Sequence, residues 1–466
     1  MRRHFLFNWL RVVIGGFDFK NVLTLILLLI TMKPISAQVL PKGIGAYALG
    51  YRQFSHDAQL YNSDGKQYAA GDKFNLDFSS QGIANGKAGD DLSKLYQEIK
   101  KFEPKGTTNS VADEMNFGEL KGDVKTSVDA KIIGFGYGIT DRFTFFMGAP
   151  LVSASVDTKL KFEGSNNATA IKSRLGDLVF KEIQEGLDRA SRLSEQNIRE
   201  QIEVEKGYAP IDHWEYNGLG DTVLGLRTEF QGERMDERRY SLGLLLQADL
   251  PTGHADDPDI LTDIPIGKGY TALTIGSDTK VTFTYLAMGW KSALTHGFAE
   301  SVQRRVPEGT DKLVAADRKA KVQWTPGMDF NNTLYSTIGN SWLRGTYNLG
   351  LKRHYGDRYS GSLQGNYGTL SAESDSVKLF HEAAITVTSV RAFSQKSFKI
   401  PLILTLAAHD TLTGRNTSKE TYFELTFSSF FSTPAAAPKS DVKTERKPEP
   451  KPGKGLLAPK TVAQSH

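Results

Sequence analysis

A strict two-residue hydrophobic period recurs along most of the chain and restricts the fold more than any other feature. Between Gly43 and Phe431, segments of roughly ten residues alternate apolar with polar side chains and are separated by turn residues. Such a period puts all the apolar side chains of a strand on one face. The pattern predicts about twelve antiparallel strands, with approximate ranges 44–54, 120–139, 142–162, 219–231, 239–250, 271–276, 281–293, 330–338, 343–355, 377–391, 398–408 and 419–431.

The connections between these strands alternate in length. Five are short, with the sequences TDR, GERMDER, SDTK, GNSW and FSQKS. Those on the other side are mostly long, near 55–119, 163–218, 251–270, 294–329 and 356–376, and only LTGRNTS is compact. Bacterial outer-membrane barrels combine an even strand number with short periplasmic turns and long extracellular loops. The chain is therefore predicted to be all-β, a transmembrane up-and-down barrel spanning residues 38–431.

A secreted β-sandwich is the alternative fold, since its strands also alternate. Its charged face would meet bulk water, whereas in a barrel that face lines the lumen. The loop asymmetry and the aromatic closing strand TYFELTFSSFF favour the barrel. The chain has no cysteine, so an exported protein of this kind has no disulfide framework. Its formal net charge of +4 is too small to indicate nucleic-acid binding.

The two termini differ in composition from the barrel. MRRH, the apolar run NVLTLILLLITM and the exit KPISAQ predict a signal peptide over residues 1–37, with an uncleaved anchor as the alternative. Residues 432–466 are rich in proline and lysine, so a disordered basic periplasmic tail is expected. The tail is either a solvated extension or a binder of anionic cell-wall polymer.

One long loop changes to a helical period. Apolar residues follow helical spacing from Ile171 to about Glu205, which predicts an amphipathic helix or a helix pair, and a shorter helix is predicted over Asp91 to Phe102. In an extracellular loop, such a helical insert either packs as a lid on the barrel mouth or gates a ligand.

The strands on either side of TDR change the phase of their alternation together. Large apolar residues are odd-numbered from Ile133 to Leu151, but they are even-numbered before and after that window along the sequence. We interpret the change as the outer edge of the bilayer, above which charged side chains face water and apolar ones face inward. Paired β-bulges are the alternative explanation. The apolar wall predicted for the upper lumen, available to a hydrophobic ligand or to the loop helix, comprises Val124, Val128, Ile132, Val152, Val156, Leu160 and Phe162.

Charged residues on the opposite phase are predicted to line the lumen at membrane height. They carry both signs, so they suit either a water-filled pore or a cross-linked network that leaves the lumen narrow or plugged. The set comprises Asp221, Arg227, Glu229, Arg239, Gln247, Asp249, Arg344, Lys352, Lys399 and Glu424.

Enzymatic and metal sites have little support in the sequence. No nucleophile constellation involves His354, His381 or His409, so no catalytic residue and no cofactor are expected. The loop sequence HADDPDILTD offers Asp256, Asp257 and Asp259 as weak metal candidates, without the spacing of an EF-hand. The other interpretations are a solvated acidic loop or divalent bridging to lipopolysaccharide phosphates.

Three glycine-containing motifs occur in order along the chain: GLGD within NGLGDTVLGLRTEF, LPTG within LLLQADLPTGH, and the glycine pair of GKGYTALTIG. Together they resemble an outer-membrane family named after the meta-cleavage pathway of phenol degradation and related to long-chain fatty-acid transporters. The resemblance implies a closed outer-membrane barrel and passive passage of small, often hydrophobic molecules. It does not establish phenol as a substrate, and the helical insert and basic tail depart from the pattern.

Two functions are therefore expected as alternatives. The first is a channel for small hydrophobic solutes in the outer membrane of a Gram-negative cell. The second is a non-conducting structural or surface-interaction barrel that acts through its loops and tail. The expected partners are outer-membrane lipid, lipopolysaccharide, a small hydrophobic solute and cell-wall polymer, and no nucleic acid.

Overall fold

The structure is a computed structural model that describes residues 39–54, 59–86, 90–102, 110–176, 180–231, 238–309 and 313–432. The predicted signal peptide and nearly all of the predicted tail lie outside these residues. None of the helices described is both long and apolar enough to span a bilayer.

Twelve antiparallel strands close into a barrel. They are β1 Ile44–Phe54, β2 Asn116–Gly138, β3 Phe143–Asn166, β4 Thr222–Gln231, β5 Arg239–Leu250, β6 Ala272–Thr282, β7 Leu286–Gly297, β8 Asp329–Gly339, β9 Leu343–His354, β10 Ser376–Thr388, β11 Leu402–Arg415 and β12 Thr421–Ser432. Each strand pairs with its neighbours in sequence, and β1 closes the barrel by pairing with both β2 and β12. The predicted fold class is confirmed.

Shorter elements occupy the connections at the end of the barrel that carries the long loops, here called the loop end. The helices are α1 Ser80–Ala84, α2 Asp90–Phe102, α3 Ala168–Leu175, α4 Lys181–Ser191, α5 Glu195–Glu200, α6 Tyr367–Ser371 and, at the opposite turn end, α7 Val390–Ser394. One π-helical turn, Gln201–Glu205, and two 3-10 turns, Ala70–Phe74 and Ala316–Arg318, complete them. Short strands are Gln59–Tyr61, Gln67–Ala69, Leu76–Ser79, His213–Leu219, Glu300–Arg305, Lys319–Thr325, Arg358–Ser360 and Thr417–Ser418.

The hairpin of β2 and β3 extends beyond the other strands at the loop end. These strands have 23 and 24 residues, about twice the length that spans a bilayer. The extension carries a separate hydrophobic core, here called the cap core, formed with α1 to α5. Within it, Ile83, Ile99 and Leu187 are fully buried. The predicted helical insert is therefore a set of short helices over 168–205 packed on this hairpin.

One predicted turn and one predicted strand start are wrong in position. SDTK is not a turn, because Asp278 and Lys280 lie within β6 and the chain reverses at residues 283–285. The polar residues of this stretch resemble a turn sequence, but Asp278 and Lys280 face the lumen and form buried ion pairs there. The strand predicted from Phe398 begins instead at Leu402, so Lys399 lies exposed in the turn that follows α7.

A belt of exposed apolar side chains surrounds the barrel. On β2 and β3 it includes Ile133, Phe135 and Met147, and Leu244 and Leu406 continue it on other strands. A surface of this extent is stable only against another apolar phase. Facing lipid, it accounts for the outward stripe that the sequence alternation predicts.

The phase change in β2 and β3 occurs without a bulge. Their pairing register is continuous from Glu119 opposite Glu163 to Gly138 opposite Thr144, and it shifts only above that, near Phe117. Because the register is unbroken, even-numbered residues face the lumen throughout this stretch. The alternative of paired bulges is therefore wrong: the chain keeps its orientation while the surroundings change.

The first described residues enter the barrel at the turn end. The Leu40 amide donates to Thr144 Oγ1 at 2.7 Å, and the Gly43 amide donates to the Gly138 carbonyl at 2.9 Å. A Cβ added to Gly138 would collide with the backbone of Pro41. The glycines on the inner face of β2 thus leave room for the chain's own backbone.

Candidate functional site

A cavity of about 2400 Å³ fills the upper lumen, between the β2–β3 hairpin, the cap core and the loop that follows β5. All but one of the seven predicted wall residues, Phe162 being the exception, line this cavity. Val156 and Val152 are 2% and 8% exposed, so they point inward. Their role as a ligand wall stays a prediction.

The wall divides between two apolar clusters. Leu160 and Phe162, nearest the loop end, pack in the cap core. Val124, Val128, Val152 and Val156 belong to a lower cluster with Trp214. The helical insert therefore covers the upper part of the wall only.

A loop that the sequence did not single out for this role covers the lower part. Residues 251–271, here called the plug loop, turn into the barrel and pack Ile260, Ile264 and Ile266 against the lower cluster. Near its base, His254 Nε2 lies 2.9 Å from both carboxylate oxygens of Asp263, whose side chain is fully buried. The His254 ring also stacks on Tyr216 at 5.0 Å between centroids. The plug loop is thus ordered inside the lumen by aromatic, ionic and apolar contacts.

Arg305 fastens the tip of the plug loop. Its guanidinium donates to Asp259 Oδ1 at 2.8 and 3.0 Å and to the carbonyls of Lys206, Gly207 and Val314. It also lies 3.8 Å from the Tyr208 ring centroid. Hydrogen bonds from Lys319 first, and from Arg305, hold the pKa of Asp259 below its ordinary value. One buried side chain therefore joins the plug loop to the end of the helical insert.

The three motifs that carry the family resemblance meet at the base of the plug loop. Asp221 of GLGD accepts the Gly253 amide of LPTG at 3.1 Å and the Lys268 amide of GKG at 2.7 Å. Thr252 Oγ1 donates to the Gly220 carbonyl at 2.8 Å. A Cβ on Gly253 would lie 2.9 Å from the Gly267 Cα, so this close approach requires glycine. We call this node the motif junction.

A β-bulge makes Asp221 available to the motif junction. Leu219 pairs with Leu151, and Val223 pairs with Gly148, so three residues of one strand face two of β3. Pro150 is one of these two, and its carbonyl accepts the Gly220 amide at 2.8 Å. The extra residue interrupts the strand predicted from Leu219 to Gln231, so Asp221 lies between strands.

Charged residues of the lower lumen form ion pairs across β4, β6 and β8. Arg227 contacts Asp278 at 3.1 Å, and Tyr335 donates to the same carboxylate at 2.8 Å. Glu229 contacts Lys280 at 3.4 Å, with both side chains at least 95% buried. On this side of the lumen, the predicted mixed charges are cross-linked to one another.

The other predicted lumen residues lie at different heights along the barrel. Glu424 pairs with Arg52 at 2.5 Å, and Asp249 pairs with Lys268 at 2.5 Å and accepts from Gln247 at 2.7 Å. Arg344 donates to the Asn340 carbonyl near the turn end. Two of the set are exposed near strand ends, Arg239 at the turn end and Lys352 at the loop end. The structure therefore brings only part of the set together.

The aspartates proposed as weak metal candidates are used in ion pairs. Asp259 binds Arg305 and Lys319, and Asp256 lies 3.0 Å from Arg304. Asp257 Oδ1 accepts the Asp259 amide at 2.9 Å. Across the described ranges, no three His, Cys, Asp or Glu side chains group closely enough to hold a metal ion.

These features define a transmembrane β-barrel of twelve strands whose upper lumen holds an apolar cavity and an inward-folded loop. No protein-family model and no curated protein matches the sequence. The resemblance to the phenol-pathway family therefore stays a prediction.

Solved structures with similar chain traces include an outer-membrane channel, a toluene transporter and the translocator domain of an autotransporter. An outer-membrane channel from Pseudomonas putida F1 is 11% identical, with 85% of this chain and 100% of that chain covered and a TM-score of 0.46. The P. putida toluene transporter TodX is 11% identical over 84% and 91% of the chains, at 0.29. The translocator domain of the autotransporter NalP from Neisseria meningitidis is 9% identical over 84% and 90%, at 0.28. At these values the similarity carries no argument about function.

Proposed function

We propose that the protein is an outer-membrane channel that takes up small hydrophobic solutes passively and binds them in its upper lumen. The observation that carries the proposal is the cavity of about 2400 Å³ in the upper lumen, with the wall of Val152 and Val156 on one side. Ligand sites of soluble and membrane proteins alike are largely apolar cavities with a few polar groups.

A non-conducting barrel is the second candidate, and a specific observation favours it. The plug loop lies in the upper lumen, and residues near Leu40 enter the turn end. Ion pairs such as that of Glu229 with Lys280 cross-link the lower lumen. If these contacts never open, the loops alone would carry the protein's function.

The test uses two adjacent positions that face opposite ways. Val156→Asp places a carboxylate on the cavity wall, while Ser155→Asp places the same group on the outer face of the same strand. Phenylnaphthylamine, a neutral hydrophobic fluorophore, is added to the full-length protein in nanodiscs and to proteoliposomes that trap a competing acceptor. We expect wild type and Ser155→Asp to bind and pass the dye, and Val156→Asp to lose roughly tenfold in affinity, since a desolvated carboxylate opposes apolar burial.

The outcomes separate the two candidates. Binding that Val156→Asp weakens, together with dye transfer into the vesicles, supports the channel. Binding without transfer under any condition, including cleavage of the plug loop, supports the non-conducting barrel. An absence of saturable binding to the wild-type protein would rule out solute capture in this cavity.

A further inference from the structure

The acidic groups that line the cavity are all engaged by partners within the protein. Asp221 accepts two amides, and Asp263 accepts from His254 and the Asp257 amide. Glu119 lies 3.3 Å from Lys121, and Glu420 pairs with Lys378. The fifth acid, Asp77, accepts the Ser79 amide at 2.9 Å. Their negative charge is therefore compensated, at least in part, by neighbouring donors.

The basic groups that line the cavity are not all compensated. Arg52 pairs with Glu424 at 2.5 Å, and Lys73 and Lys94 also have partners. Among the residues that the structure describes, the side chains of Arg189, Lys206 and Lys419 make no ion pair and no hydrogen bond, although all three line the cavity. Two of them, Arg189 and Lys206, belong to the helical insert. An apolar cavity with unpaired cations at its edge attracts anions, because low-dielectric walls focus the field of those cations.

Lys206 and Arg189 are presented from ordered backbone on the same insert. The Lys206 carbonyl accepts from Arg305 Nη1 at 2.7 Å, so the base of this side chain is fastened. Arg189 lies on α4, whose neighbouring residue Ala190 is 1% exposed in the cap core. Apolar residues that line the cavity separate the two cations along the insert, among them Ile198 and Ile202. The insert thus contributes both cationic and apolar side chains to the cavity lining.

We propose that the ligand of this cavity is an amphipathic monoanion, with its apolar body on the wall of Val152 and Val156 and its carboxylate or sulfonate in the electrostatic field of the unpaired cations Lys206 and Arg189. This inference rests on the proposed function and narrows its solute class from any hydrophobic molecule to singly charged ones. A neutral hydrocarbon would use the wall and leave both cations without a counter-charge. A dianion would lose more hydration than an apolar cavity restores.

The test compares two dyes that differ by one sulfonate. Anilinonaphthalene sulfonate and neutral phenylnaphthylamine share their ring system, and their affinities for the full-length protein in nanodiscs are measured by fluorescence titration. The variants are Lys206→Met and Arg189→Met, which keep the apolar stem of the side chain. Lys181→Met is the matched control, because Lys181 lies on the same helix, pairs with Glu185 and does not line the cavity.

We expect the sulfonate to bind at least tenfold tighter than the neutral dye, and each of the two variants to reduce that ratio roughly tenfold, as for a charge-assisted hydrogen bond. High salt should reduce the ratio as well, and Lys181→Met should not change it. Equal affinities of the two dyes in wild type, or a ratio that Lys206→Met and Arg189→Met leave unchanged, would overturn this inference while leaving the channel proposal standing. If neither dye binds, the proposed function fails first.

Discussion

The Arg305 guanidinium holds Asp259 through two hydrogen bonds, of 2.8 and 3.0 Å, and so fixes the tip of the plug loop. Arg305 is buried, and three backbone carbonyls accept its remaining donors. Arg305→Met should therefore destabilise the loop-end assembly by roughly 3 kcal/mol, because it leaves several buried acceptors unpaired. Urea unfolding and protease cleavage within residues 255–266 would measure the effect.

Arg304 supplies the control for that experiment. Its side chain is 15% exposed and contacts one carboxylate, Asp256, which is 43% exposed, together with the Asp256 carbonyl. Arg304→Met should cost about 1–2 kcal/mol, less than Arg305→Met, because fewer acceptors lose their donor and the Asp256 carboxylate stays accessible to water. Equal protease sensitivity in the two variants would mean that Arg305 does not fasten the plug loop.

Acidification should release the plug loop before the barrel unfolds. The pKa of Asp259 is lowered in the folded protein, chiefly by the hydrogen bond from Lys319. A lowered folded pKa means that the stabilisation is complete above the ordinary value of 3.8 and is lost as the pH falls through the folded value. Protease sensitivity of the plug loop should therefore increase below about pH 4, and Asp259→Asn should show that sensitivity already at neutral pH. A loop that is equally protected at both pH values in wild type would contradict this prediction.

The motif junction should tolerate no loss of its carboxylate. Asp221→Ala removes the acceptor of the Gly253 and Lys268 amides, at a cost of roughly 2–4 kcal/mol for two unpaired donors. Asp256→Ala, a change to an exposed carboxylate of the same loop, should be nearly neutral. Limited proteolysis distinguishes them, since only the first variant should free the base of the plug loop. If Asp256→Ala were the more sensitive, the junction would not anchor the loop.

Strand number, and the facing of residues well inside the strands, were accessible from the sequence because a two-residue period is a local property. β1 and β5 were predicted with the bounds that they have, Ile44–Phe54 and Arg239–Leu250. The plug loop was not accessible, because Ile260, Ile264 and Ile266 have no regular period and their burial depends on contacts with distant strands. The helical period predicts a helix or helix pair over Ile171 to about Glu205, whereas the structure has several short helices between Ala168 and Glu205.

Asp278 and Lys280 show why the turn predicted at SDTK was wrong. Continuing the alternation of Ala272, Thr274 and Gly276 would have placed both side chains inward, but the polar run SDTK suggested a turn instead. Only the partners on β4, Arg227 and Glu229, reveal that these charges are neutralised. In the sequence, a turn and a strand with buried charges both appear as a run of polar residues, and only the partner strand distinguishes them.

Replacing both partners of the Glu229–Lys280 ion pair should cost less free energy of unfolding than the two single replacements added together. Glu229→Gln or Lys280→Met alone leaves a buried charge with reduced compensation, which costs roughly 3 kcal/mol. The double variant removes both charges, so its cost should be well below the sum of the single variants. Urea unfolding in a double-mutant cycle measures this coupling. Strictly additive costs would show that the two side chains do not interact across the lumen.

The phase change of β2 predicts where the bilayer ends, and two arginine substitutions on the same outward face test it. Ile133 is 52% exposed within the apolar belt, whereas Ser127 lies three outward positions nearer the loop end, among charged residues. Arginine on the lipid face of a barrel costs roughly 2–4 kcal/mol at the midplane and about 0–1 kcal/mol near the interface. Ile133→Arg should therefore lower the free energy of unfolding from phospholipid vesicles, while Ser127→Arg should leave it almost unchanged. Because the register of the β2–β3 hairpin is unbroken at both positions, a difference between the variants reports the surroundings and not a change in facing. Equal costs at the two positions would place both residues in lipid and would refute the interpretation of the phase change as a bilayer edge.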